Sequence, residues 1–292
     1  MISKLMGLEA EVKQHGRNWA EADKFLREEV MGENMKGKVY VPPFDHPDIW
    51  EGASSLVPEM EAQMQQYGGY DGVVCSVGGG GLLIGIAEGI AQSGLSSCRK
   101  VLAVETEGGE SLSKSLLAGG VVTLPSISTI ATSLGCSKVA KRAFEVAQRE
   151  NIEVAILSDA QAGMGCVHLA DMERLMVEAA CGVSVATCFD GTLRRALGRD
   201  LTDEQWKEKR VVIIVCGGSI VSTKLLEDYR AKYETVVEQE ISMQKNRLVK
   251  DMLRGMRDEG VVHEMEKEET EQKAAEVILN EQKIEMLVAA QA

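Results

Sequence analysis

The chain has 292 residues, 45% apolar and 26% charged, and its 45 acidic against 32 basic side chains give a formal charge of -13. That balance excludes disordered and fibrous classes, and a field of this sign disfavours general nucleic-acid binding. No run of roughly eighteen apolar residues predicts a membrane span, no long apolar stretch opens the chain as a signal peptide would, and the seven cysteines are scattered without a Cys-x-x-Cys pair, which describes reduced thiols in a cytoplasmic protein.

In chain order, Asn18 predicts a cap for a helix from Trp19 to Met31, and Lys38-Val39-Tyr40-Val41 predicts a short strand before Pro42-Pro43. One helix and one strand cannot enclose a core, so residues 1–48 read as part of a small α/β domain. Strand and helix then alternate over 49–224. Apolar runs at 72–77, 101–105, 154–158 and 211–216 lack polar alternation, as parallel strands covered on both faces do. Helical patterns separate them over roughly 82–93, 109–118, 137–149, 160–179 and 183–197. This order predicts an open, doubly wound α/β domain with a mostly parallel sheet. From 225 to 292 the chain has no proline, two glycines (Gly255 and Gly260) and dense charge. That segment predicts two or three extended helices, which either project, pack on a partner subunit or form a solvated extension. Its heptad order is too irregular for a coiled coil.

Three motifs can carry chemistry. Ser76-Val77-Gly78-Gly79-Gly80-Gly81-Leu82-Leu83 follows a predicted strand and opens a helix. Its glycines let backbone N–H groups converge at a helix N-terminus, so it predicts a phosphate cradle, with a plain tight turn as the alternative. It is not a Walker loop, because no Gly-Lys-Ser/Thr follows, and Ile84 stands where a dinucleotide fingerprint needs its third glycine. Val215-Cys216-Gly217-Gly218-Ser219 ends the last strand, where ligands gather in open parallel sheets; a small buried hydrophobe is the simpler role for Cys216. Glu105 ends an apolar run, which predicts a partly buried carboxylate with a cationic partner or metal; an exposed loop acid is the alternative, and it suits Glu107 and Glu110 better. His15, His46, His168 and His263 have no ligand spacing, and no Gly-x-Ser-x-Gly elbow occurs.

Together these motifs resemble the L-serine dehydratases, within the serine/threonine dehydratase family of fold type II (tryptophan-synthase β-like) pyridoxal-phosphate enzymes. The resemblance covers about residues 1–225. It is carried by Tyr40-Val41-Pro42-Pro43-Phe44-Asp45-His46-Pro47-Asp48-Ile49-Trp50-Glu51-Gly52, the tetraglycine block, Val104-Glu105-Thr106 and Val215-Cys216-Gly217-Gly218-Ser219. It implies that Gly78, Gly79, Gly80 and Gly81 hold the cofactor phosphate and that Cys216 faces the pyridine nitrogen as a neutral partner. It further implies a monovalent-cation site, for K+, at Glu105 with carbonyls near Gly78, Gly109, Leu134 and Cys136. The implied reaction is β-elimination on L-serine, giving pyruvate and ammonia, with L-threonine giving 2-oxobutanoate, and the implied assembly is a homodimer.

The resemblance also implies a Schiff-base lysine in a Ser-Phe-Lys segment and a Ser-x-Gly-Asn loop that grips the substrate carboxylate. Neither occurs in these 292 residues, and the expectation is that the family's N-terminal third is absent. Lys4, Lys13, Lys24 and Lys36 lie nearest in sequence, without the motif. Two readings follow: a lyase of this family whose sequence is incomplete, or a non-catalytic relative that binds phosphate or cofactor weakly and acts through its C-terminal helices. A nucleotide-binding dehydrogenase is a third reading, disfavoured by Ile84.

Overall fold

The four apolar runs form one parallel sheet in a computed structural model that describes residues 2–16, 18–32 and 36–258, with side chains described through Gln244. Strands β1 (Gly72–Ser76), β2 (Lys100–Thr106), β3 (Ile152–Leu157) and β4 (Val211–Ile213) are arranged β3-β2-β1-β4. Val73 pairs with Val101 on one side and Val212 on the other, and Val104 pairs with Ala155.

Alternate side chains of the two central strands enter two different cores, because successive residues of a strand point to opposite faces. Val73, Cys75, Val101 and Ala103 pack with Leu83 and Ile86 of α5 (Gly81–Gln92) and Ala143 of α7 (Lys141–Val146). Val74, Leu102 and Val104 pack with Ala162 and Cys166 of α8 (Asp159–Glu173) and Cys181 and Val183 of α9 (Ala179–Ala186). Val73, Val74, Val101 and Leu102 are fully buried, each worth about 1.5–3 kcal/mol of hydrophobic stabilisation. Helices on both faces are what the continuous apolar runs predict, and the doubly wound domain is observed.

The remaining helices frame this sheet. They are α1 (Ile2–Gly7), α2 (Trp19–Phe25), α3 (Pro47–Ser54), α4 (Leu56–Met64), α6 (Ser111–Ala118), α10 (Thr192–Leu197), α11 (Asp203–Lys207) and α12 (Thr223–Asp258). Asn18 caps α2 as expected, its Oδ1 accepting from Glu21 N–H at 3.0 Å, and the helical path runs on through a π-turn to Met31. Gly85 and Gly89 of α5 admit α3 and the start of α4: a Cβ at Gly85 would lie 2.8 Å from the Trp50 carbonyl, and one at Gly89 2.9 Å from that of Ser54. Gly85 is thus a helix-packing residue.

Several boundaries differ from expectation for identifiable reasons. Lys38–Val41 is not a strand; among the described residues no strand lies beside it, Val39 and Val41 are exposed, and Lys38 Nζ instead donates to the carbonyls of Val30 and Met31. The stretch 160–179 breaks because Arg174 turns left-handed at φ 60°, so α8 ends at Glu173. The stretch 183–197 breaks at Asp190-Gly191, where Asp190 Oδ1 accepts from Thr192 N–H and Gly191 has φ +77°. β4 ends at Ile213, turning Val215 and Cys216 out of the sheet. The C-terminal segment forms one helix through Asp258, whose Tyr233 and Val237 are buried against Ala160, Met164 and Val167 of α8. The rest of the 225–292 expectation lies outside the described residues.

Candidate active site

Strand order determines where a ligand can enter. From β1 the sheet grows one way through β2 and β3, and then the chain returns to lay β4 on the other side of β1. The gap between β1 and β4 is therefore the topological switch point, and its carboxyl end is the binding crevice of an open parallel sheet. The glycine block leaves β1 at this end, and Cys216 follows β4. Ser76 Oγ and Cys216 Sγ lie 3.6 Å apart.

The glycine loop is closely enclosed. A Cβ on Gly78 would lie 2.8 Å from the Leu134 carbonyl oxygen, and one on Gly81 2.8 Å from that of Phe44. On Gly79 it would enter the Phe44 ring, and on Gly80, which has φ +94°, it would overlap Ala143. Phe44 is itself anchored, since Trp50 Nε1 donates to its carbonyl at 2.7 Å. Ala140 N–H donates to Gly79 O at 2.9 Å and ties the loop to the start of α7. Among the described residues, the N–H groups of Gly78, Gly79, Gly80 and Gly81 donate to no other group. Free N–H groups at the N-terminus of the twelve-residue α5 are satisfied by an anion, and the helix dipole favours one there. These residues fit the phosphate of pyridoxal phosphate. Phe44, Cys136, Lys138 and Ala140 also line a neighbouring cavity of about 620 Å³, which none of Gly78–Gly81, Ser76 or Cys216 lines.

At the other side of the crevice, Cys216 is exposed and Cys181 is buried. The Cys216 N–H donates to Cys181 Sγ at 3.4 Å. Hydrogen bonding to Cys181, with a further contribution from Ser76, pulls the Cys216 thiol down to about 6 against the cost of its partial burial. Cys181 is shifted upward by that same bond and by burial. The charge belongs on Cys216, because water can solvate the exposed sulfur and cannot reach the buried one.

Glu105 is fully buried, and its observed hydrogen-bond partners belong to the start of α6. Its Oε1 accepts from Leu112 N–H at 2.8 Å, and its Oε2 accepts from Ser113 N–H at 2.8 Å and Ser113 Oγ at 2.6 Å. The carboxylate therefore caps α6, where the helix dipole supplies positive potential. Burial raises its pKa, with the three hydrogen bonds opposing. Nearby, Thr106 Oγ1, Glu110 Oε2 and Ser111 Oγ are buried without a hydrogen-bond partner, and Gly109 lies against Thr106 and the Leu134 side chain. The Leu134 carbonyl accepts from Cys136 N–H at 2.7 Å. An all-oxygen neighbourhood with unsatisfied atoms suits a hard cation. Among the described residues, no group of three or more His, Cys, Asp and Glu could hold a metal. His15 stacks on Phe25 and His168 on Phe189, away from these groups.

The glycine loop and Cys216 thus follow the carboxyl ends of the adjacent strands β1 and β4, Leu134 lies against Gly78, and Gly109 lies against Leu134. Sequence reasoning assigned no role to Ser76, Phe44, Thr106, Ser111 or Cys181. Ser76, Phe44 and Thr106 stood inside the quoted motifs, whereas Cys181 gave no local signal.

The chain matches the pyridoxal-phosphate dependent enzyme family over residues 1–217. It is 38% identical over 229 residues to an L-serine dehydratase of Saccharomyces cerevisiae strain AWRI1631, covering 76% of this chain and 67% of that protein. It is 37% identical over 227 residues to a serine dehydratase-like protein of Homo sapiens, covering 78% of this chain and 67% of that protein. A fungal L-serine ammonia-lyase from Rhizomucor miehei superposes with a TM-score of 0.70 at 30% identity, covering 80% of this chain and 70% of that one. A threonine deaminase from Solanum lycopersicum, at 23% identity and a TM-score of 0.64 over 79% of this chain and 62% of that one, shares the fold.

Proposed function

This chain belongs to the pyridoxal-phosphate-dependent enzymes of the L-serine dehydratase family, a family of lyases with the fold type II architecture, and from that premise we propose that it acts as an L-serine ammonia-lyase. The proposed reaction converts L-serine to pyruvate and ammonia, with L-threonine as a second substrate giving 2-oxobutanoate. One observation carries the reading: at the sheet's switch point, four unpaired glycine N–H groups share one crevice with the Ser76–Cys216 pair. Identity of 37–38% to serine dehydratases over about two thirds of their length supports it.

When bound, pyridoxal phosphate supplies the electron sink that makes the α-proton of an amino acid acidic and lets a β-hydroxyl leave. The N–H groups of Gly78 to Gly81 bind the phosphate, and Phe44 and Ala143 hold the loop in that geometry. Cys216, oriented by Ser76 and Cys181, would face the pyridine nitrogen; a bound ring would exclude water from its sulfur and so favour the neutral thiol there, leaving the ring uncharged and the electron sink moderated in favour of β-elimination. A monovalent cation such as K+ would be held beside the glycine loop by the carbonyls of Gly78, Gly109, Leu134 and Cys136, with Glu105 supplying negative charge, and its contribution would be to position this loop rather than to take part in the chemistry. The seven free cysteines suit a cytoplasmic setting, and a homodimer is the proposed assembly. Among the described residues no helix is long and apolar enough to cross a membrane. A division into 1–48, 49–224 and 225–292 follows from the same reading.

The Ser-Phe-Lys and Ser-x-Gly-Asn segments of the family do not occur in these 292 residues, so the deciding experiment concerns the lysine. The purified protein is mixed with pyridoxal phosphate, reduced with borohydride and mapped by mass spectrometry, with pyruvate release from L-serine followed in parallel. One modified lysine together with pyruvate supports the lyase. No specific adduct and no pyruvate would leave a cofactor-binding relative without catalysis.

A further inference from the structure

The cysteines at the carboxyl end of the sheet allow chemistry that the lyase reading does not use. Cys216 is exposed on the loop after β4, whereas Cys181 is buried in α9 directly beneath it. The Cys216 N–H points at Cys181 Sγ from 3.4 Å, and Ser76 Oγ lies 3.6 Å from Cys216 Sγ. An accessible sulfur thus sits against an inaccessible one, with a hydroxyl beside them. Cys75 is also near and buried, but it packs into the core on the opposite face of the sheet from Cys181. That places Cys181, and not Cys75, on the side from which a second sulfur can reach Cys216.

We propose that Cys216 and Cys181 form an oxidisable pair, with hydrogen peroxide as the oxidant, Cys216 as the attacking sulfur and Cys181 as the resolving one. In the first step the Cys216 thiolate attacks one peroxide oxygen, the O–O bond breaks and, after protonation, water leaves; Cys216 becomes a sulfenic acid. In the second step the Cys181 sulfur attacks the Cys216 sulfur, the S–O bond breaks and a second water leaves. Two thiols and one peroxide give one disulfide and two waters, with sulfur oxidised and peroxide reduced. Thiolate character with solvent access is what selects a cysteine for such oxidation, and the lowered Cys216 pKa agrees with that geometry. The neighbouring thiol resolves the sulfenic acid before further oxidation. A thiol or thioredoxin-like reductant restores the pair.

The consequence for the enzyme rests on the lyase reading. A Cys181–Cys216 disulfide withdraws the sulfur proposed to face the pyridine nitrogen, so oxidation would weaken cofactor binding reversibly.

The test uses the full chain. The protein is treated with one equivalent of hydrogen peroxide, remaining thiols are alkylated, and disulfide-linked peptides are mapped without reduction. The expected result is consumption of two of the seven thiols, a Cys181–Cys216 cross-link, and its loss after dithiothreitol. Cys181→Ala should abolish the cross-link and leave a dimedone-reactive Cys216. Cys75→Ala should leave the cross-link intact. A Cys75–Cys216 bond, an unmodified Cys216, or irreversible Cys216 oxidation in the wild-type chain without a disulfide would overturn the pair. Cofactor fluorescence titrations of reduced and oxidised protein form a separate arm: a mapped disulfide without any cofactor binding in either state would instead count against the lyase reading.

Discussion

Gly80 shows how narrowly single positions are constrained at this site. Its φ of +94° lies where a side chain is strained, and an added Cβ would overlap Ala143. Gly80→Ala is expected to destabilise the fold by about 1–3 kcal/mol and to lower affinity for pyridoxal phosphate at least tenfold, measured by denaturant melts and fluorescence titration. Cys216 offers a pH readout. Its thiol is held near 6, so the thiolate prevails above that pH, and alkylation of Cys216 should fall to half its plateau near pH 6 as the solution is acidified. A midpoint at the ordinary thiol value would contradict the hydrogen-bonded arrangement with Cys181. Glu105 has the opposite sign. Its folded pKa is raised by burial, so its contribution to stability is present at low pH and is lost as pH climbs through that raised value. A cation beside it would offset the loss. Potassium should therefore raise the melting temperature more at the alkaline end of a pH series, where the carboxylate is charged, than at the acid end, and Glu105→Gln should flatten that difference.

Elements carry the next set of constraints. Glu105 joins β2 to α6 by accepting from Leu112 and Ser113, and Glu105→Ala would leave three donors without their acceptor. The expected cost is about 2–4 kcal/mol, visible in urea melts. The strands and α5 were legible in the sequence because buried parallel strands are apolar throughout and the glycine block marks the turn. The glycine block and Cys216 were readable as candidates for the same reason, each ending or following a strand. Other features were written in the sequence but had not been read: Thr202 and Gln205 form a capping box around α11, and Pro47 with His46 opens α3. Lys38–Val41 misled because β-propensity describes a surface suited to a neighbour, and no strand flanks it among the described residues. The burial of Glu105 was legible because it ends an apolar run, but its observed hydrogen-bond partner was not, since that helix end exists only after α6 folds. The Cys181–Cys216 pairing joins α9 to the loop after β4, and no local pattern encodes such a contact.

At the scale of the molecule, the parallel sheet gathers its chemistry at one end. The opposite end holds the Asp71–Lys209 ion pair at 2.8 Å, away from the crevice. Both partners are substantially solvated, so Lys209→Ala should leave cofactor affinity unchanged within error and shift stability by at most about 1 kcal/mol; a large loss of binding would show that the two ends are coupled. The last helix extends this asymmetry. Its 36 residues span about 54 Å at 1.5 Å per residue, which exceeds the roughly 43 Å across expected of a globule of some two hundred residues, while its contacts with α8 run from Tyr233 and Val237 to Ile241, with Glu240 accepting from Ser158. A rod held along its first half and longer than the body is wide makes the particle tumble anisotropically. Its frictional ratio, read by sedimentation velocity, should exceed that of a sphere of equal mass.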